Sequence, residues 1–93
     1  MERKSINGDI IPFGWVCGHF DGFPGTMIYP SWGGALESKR LICQDVRVIN
    51  GEYFVHSPWH NKITASLGTD ITTVEAYILE HGKVCEQGAN VWD

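Results

Sequence analysis

Apolar and polar positions alternate most clearly on either side of Asn50-Gly51. A strand is predicted over Leu41–Ile49 and a second over Glu52–His56, joined by a two-residue turn in which both positions adopt positive φ. That loop length sets the register. Val48 faces Tyr53 and Val46 faces Val55, so these four apolar side chains share one face. Arg47 lies opposite Phe54 and Asp45 opposite His56 on the other face. The apolar face is the core candidate, and the Asp45–His56 pair reads as an ordinary cross-strand surface contact.

Upstream, Ile10-Ile11 and Phe13–Phe20 read as strand, because β-branched and aromatic residues dominate. Pro12 places that strand at an edge or delays its start. Asp21-Gly22 and Pro24-Gly25 supply turns, and Thr26–Tyr29 returns as a second strand, giving a hairpin with a long tip. Ala35–Arg40 reads as a loop or a single helical turn. Ser57–Lys62 is a loop opened by Pro58, and Ile63–Leu67 a short strand. From Thr72 the period changes. Val74, Tyr77, Ile78 and His81 recur at helical spacing, Thr72-x-x-Glu75 matches a capping box, and Gly82 stands where a helix C′ residue belongs. A helix is expected over 73–81, with a Val74–Val84 hairpin turning at His81-Gly82 as the alternative, since Thr72, Thr73, Val74, Tyr77 and Ile78 are better strand formers. Lys83–Trp92 follows as a last strand or extended tail. The expected fold is α+β and β-dominated: a small antiparallel sheet or partly open barrel of two hairpins plus one short helix, in a single domain over residues 1–93.

Composition sharpens this picture at one place. Pro12–Gly34 holds six of the eleven aromatic residues and one formal charge, Asp21. Aromatic rings can fill a small core or anchor a partner. Alternation puts Trp15, Cys17 and His19 on one side of the strand and Val16, Gly18 and Phe20 on the other. Both sides cannot line one core unless the sheet is covered twice, so some rings are expected at the surface. Trp15, Phe20, Phe23, Tyr29, Trp32 and Trp59 form the candidate binding set.

Charge narrows the partners. Residues 1–69 carry six acids and six bases, whereas 70–93 carry five acids and Lys83, which accounts for the net charge of −4. An acidic chain disfavours nucleic-acid phosphate, whose binding is mostly Lys/Arg neutralisation, and suits a basic protein surface. No apolar run approaches the ~20 residues of a membrane helix, and the polar N-terminus lacks a secretory leader. Three widely spaced cysteines, Cys17, Cys43 and Cys85, fit reduced thiols in a cytoplasmic setting better than a disulfide framework.

Candidate chemistry is sparse. Cys17-x-His19, Cys43, His56-x-x-x-His60 and His81-x-x-x-Cys85 hold nitrogen and sulfur ligands, but Pro58 and Gly82 interrupt the helical spacing two of them would need. No metal or cofactor is assigned. Asp45 beside His56, with Cys43 two residues away on the same face, has the outline of a base and its orienter, without a nucleophile motif. The glycine-rich stretch matches no phosphate-binding loop.

Gly14-Trp15-Val16-Cys17, Pro24–Pro30 and Ala35-Leu36-Glu37 resemble fragments of the small plasmid-borne, trimethoprim-resistant dihydrofolate reductases, which are SH3-like barrels around a shared pore. The resemblance covers about a quarter of the chain. The Cys17–Pro24 connection is too short for that family's intervening strand, and Met27 stands at the position of its active-site glutamine, so its activity is not carried over. The expected function is non-enzymatic: docking onto another protein, with stacking of a flat or cationic small molecule on the tryptophans as the alternative and a metal- or Cys/His-dependent enzyme as the second. Oligomeric state is open, a homodimer included.

Overall fold

The computed structural model describes residues 3–31, 39–40 and 44–84. The expectations for Ala35–Ser38 and for the tail beyond Val84 lie outside these residues, as do Trp32, Cys43 and Cys85. The fold is α+β and β-dominated. Strands β1 (Arg3–Lys4) and β2 (Ile10–Ile11) pair as a short ribbon. Next come β3 (Trp15–Gly18), β4 (Thr26–Pro30) and β5 (Lys39–Arg40). They are followed by β6 (Asp45–Ile49), β7 (Glu52–Ser57) and β8 (Lys62–Gly68). Helix α1 spans Ile71–His81 and leads into β9 (Lys83–Val84). The centre is a five-stranded antiparallel sheet in the order β3-β4-β6-β7-β8, and β5 pairs with β9 in a second ribbon. Among the described residues no helix is long and apolar enough to cross a membrane.

The β6–β7 hairpin forms as its turn dictates. Asn50 and Gly51 sit at φ 50° and 84°, and Val48 pairs Tyr53, Val46 pairs Val55, Arg47 pairs Phe54 and Asp45 pairs His56. The turn is also clipped from outside. Asp9, itself buried, accepts the Asn50 backbone N–H at 2.8 Å and the Thr26 hydroxyl at 3.4 Å. The strand containing Trp15 is shorter than the pattern suggests and lies at the sheet edge. Gly14, at φ 83°, still belongs to the turn before it, and the chain leaves the ladder after Gly18. The Arg3 guanidinium donates to the Trp15 carbonyl on this edge.

The helix begins two residues before the expected 73–81. Asp70, rather than the Thr72-x-x-Glu75 box, provides the cap: its carboxylate accepts the Thr72 N–H at 2.9 Å, which satisfies one of the free donors of the first turn. The Gly82 reading is corrected as well. Its φ of −69° is not left-handed. Glycine is needed there for room, because a Cβ would lie 2.5 Å from the Ile78 carbonyl oxygen and 3.1 Å from the Lys39 Cβ.

One face of the sheet carries the apolar core. Ile28, Val46, Val48 and Tyr53 meet Trp15, Ile11 and the helix residues Val74 and Ile78, with Leu67, Ile71 and Tyr77 packed around them. The other face departs from the expectation of an ordinary surface contact. Asp45, Arg47 and His56 are all buried there. What covers them is the β3–β4 connection, which folds back across the sheet instead of projecting as a hairpin tip.

Candidate functional site

That second face supplies the one concentration of chemistry among the described residues. Asp45 and Arg47 are two apart on β6, so strand alternation points both side chains the same way. The register then sets His56 of β7 opposite Asp45. Asp45 is 2% exposed and Arg47 and His56 are 0% exposed.

The three groups are linked at hydrogen-bond distance. Arg47 forks onto the carboxylate, with Nη2 donating to Asp45 Oδ2 at 2.9 Å and Nε to Oδ1 at 3.2 Å. Nε also lies 3.2 Å from His56 Nδ1, and that nitrogen is 3.1 Å from Asp45 Oδ1. Two further bonds tie the cluster to the covering segment. Arg47 Nη1 donates to the Pro24 carbonyl at 3.2 Å. Asn61, held at φ 47° at the end of the β7–β8 turn, donates through Nδ2 to the Gly22 carbonyl at 2.9 Å and presents Oδ1 to His56 Nε2 at 3.0 Å.

This chain of bonds fixes a proton. A carbonyl oxygen only accepts, so the Asn61 amide must turn its NH₂ toward Gly22 and its oxygen toward His56. His56 Nε2 therefore carries hydrogen. In the neutral ring, Nδ1 accepts from Arg47 Nε. In the imidazolium, Nδ1 donates to Asp45 instead. Both ring nitrogens are engaged either way.

Aromatic rings close the cluster from above. The Phe23 ring centre lies 5.2 Å from the Arg47 guanidinium carbon and 5.4 Å from the His56 ring centre. Phe20 lies 5.9 Å from the same guanidinium and 6.3 Å from Phe23. A guanidinium gains from an aromatic face, more so when desolvated. Among the described residues no buried side-chain nitrogen or oxygen is left without a partner, as an enclosed ion pair requires.

Chemically the arrangement resembles a base held by its orienter, but it is closed to solvent, and among the described residues no cysteine stands beside it. Cys17 is exposed and pairs with Ile28, which places it on the opposite side of the sheet from His56. No three His, Cys, Asp or Glu side chains gather at metal-binding distance among the described residues. What the geometry does is hold residues Phe20–Pro24, a strap, onto the sheet.

The predicted aromatic set is divided by the fold. Trp15, 1% exposed, belongs to the apolar core, because its side of β3 faces Ile11 and the helix; its ring is not offered to a partner. Tyr29 and Phe23 are half-buried. Phe20 and Trp59 remain 49% and 68% exposed. The Asn61–Gly22 bond joins the turn that carries Trp59 to the strap that carries Phe20. Sequence reasoning missed Arg47 and Asn61. The available signal was the Asp-x-Arg alternation facing a histidine across a hairpin of known register, a spacing that lets three charged or titratable groups satisfy one another. No protein family, curated protein or solved structure matches the chain.

Proposed function

We propose that this protein acts by docking onto another protein, with Phe20 and Trp59 as its anchors. One observation carries the reading: two large exposed rings stand on segments joined by hydrogen bonds that are rooted in the buried Asp45–Arg47–His56 cluster. Ring side chains dominate interface energetics, and a surface ordered before contact avoids much of the entropy cost of association. The net charge of −4 favours a partner whose apolar pocket is rimmed by basic groups.

The test uses a photo-crosslinking residue at Phe20 or Trp59, with the exposed Leu79 on the helix as the control position. The partner captured at the first two positions is then purified and titrated against Phe20→Ala and Trp59→Ala. Each substitution is expected to weaken binding by about tenfold or more. Equal crosslinking from Leu79, or alanine variants that bind as the parent does, would remove these residues as anchors. A second copy of the chain is one of the partners this experiment identifies.

A further inference from the structure

We propose that the strap Phe20–Pro24 lifts from the sheet as a local unit while the sheet stays folded, and so uncovers the Asp45–Arg47–His56 cluster. This opening does not depend on the docking reading.

The attachments are few and none is a ladder bond. None of the strap's backbone belongs to the strand ladder. Its own internal backbone bond is a single turn, Phe23 N–H to the Phe20 carbonyl at 3.2 Å. The sheet holds it by two side-chain donors, Arg47 on Pro24 and Asn61 on Gly22, and by ring contacts over Arg47 and His56.

The strap is rooted at both ends, where the chain leaves the ladder after Gly18 and where it meets the sheet again at Gly25. At Gly25, φ 62°, a Cβ would come within 2.4 Å of Ile49 Cγ1 and 2.6 Å of the Val48 carbonyl oxygen, so the chain is pressed against the β6 end there. Between these roots two side-chain hydrogen bonds hold the backbone, Asn61 to the Gly22 carbonyl and Arg47 to the Pro24 carbonyl.

The material underneath favours opening on this face over the other. Lifting the helix would expose Val74, Ile78, Trp15 and Ile11 to water, an apolar loss with nothing to offset it. Lifting the strap exposes the inner sides of two phenylalanines, one already half in solvent, and at the same time returns water to a carboxylate, a guanidinium and an imidazole. Re-solvation of buried ions recovers a large desolvation cost. Segments with little buried apolar contact and no ladder bonds open first. The open state frees Arg47 Nη1 from Pro24 and gives solvent access to the His56 ring.

Histidine carbethoxylation read by peptide mass spectrometry tests this, with the exposed His19, His60 and His81 as internal references. In the unmodified protein His56 is expected to label more slowly than the other three. Its rate should depend on urea less than half as steeply as hydrogen exchange at the Val46 and Val55 amides, which report opening of the sheet. Phe23→Ala should raise His56 labelling by about tenfold or more with Val55 exchange unchanged. Asn61→Ala should act in the same direction. If His56 labelling and Val55 exchange share one urea slope in the unmodified protein, the strap opens only with the whole sheet and the proposal is wrong. That comparison decides the matter even where a variant fails to fold.

Discussion

Replacing Arg47 by methionine keeps an unbranched apolar stem and removes the guanidinium with its charge. The consequences can be followed bond by bond. Asp45 loses both guanidinium donors and is left facing His56 Nδ1 at 3.1 Å, which donates to it only in the imidazolium. The Pro24 carbonyl loses its donor. A carboxylate left in a site where it is 2% exposed costs about 3–5 kcal/mol when its partner is deleted. A chain of 93 residues has total stability of roughly 5–14 kcal/mol, so this one change removes a large share of it.

Removing both charges is a different experiment. In Asp45→Leu/Arg47→Met no ion remains to be stranded. The penalty then reduces to the orphaned Pro24 carbonyl and the altered His56 contact, about 1–3 kcal/mol. The double variant is therefore expected to be more stable than Arg47→Met alone, and, with Asp45→Leu alone also stranding a charge at about 3–5 kcal/mol, the coupling energy is about 3 kcal/mol or more. Urea unfolding followed by tryptophan fluorescence provides the measurement. At an m-value of about 1.5 kcal/mol/M the single variant should lose about 2–3 M in midpoint. If Arg47→Met costs less than about 1 kcal/mol, or if the two substitutions simply add, the cluster is not the enclosed ion pair described above.

Two further substitutions separate space from backbone strain. Gly51→Ala meets no atom within 4 Å and should cost only the positive-φ penalty, about 1 kcal/mol, whereas Gly25→Ala adds contacts of 2.4 and 2.6 Å and should cost clearly more. Equal losses in thermal or urea unfolding would show that the Gly25 contact yields freely. Trp15→Ala should destabilise by about 3–5 kcal/mol as a core truncation, and Trp59→Ala by less than about 0.5 kcal/mol. A large stability loss at Trp59 would make it a structural residue and withdraw it as an anchor.

The parts of the fold that are readable in the sequence are those written within a few residues of one another. Asn50-Gly51 specifies a turn whose geometry admits one pairing, and five residue pairs follow from it. The helix is readable from its period, but its start is not. The Thr72-x-x-Glu75 box points to a start two residues late, because the cap is Asp70, whose carboxylate reaches the Thr72 N–H. The candidate site is readable only in part. Register alone places Asp45 beside His56. It cannot reveal burial, because what covers this face is a loop with no periodic pattern, held by bonds spanning 23 residues from Pro24 to Arg47 and 39 from Gly22 to Asn61. Polar side chains on a strand read as facing water unless the covering segment is known. Alternation predicts that Trp15 and Phe20 part, but the strand ends at Gly18, and Phe20 lies apart from Trp15 because the chain turns into the strap. Which side is core depends on the helix.

The carboxylate of Asp9 that clips the Asn50 turn lies 41 residues earlier in the chain. During synthesis the β1–β2 ribbon leaves the ribosome well before its binding place exists. A two-stranded piece of this size is marginal alone, and it must wait for the later hairpin to form. Contact order therefore predicts an order of assembly opposite to that of translation at this point: the central hairpin, whose contacts are local, closes first, and the N-terminal ribbon docks afterwards onto its turn.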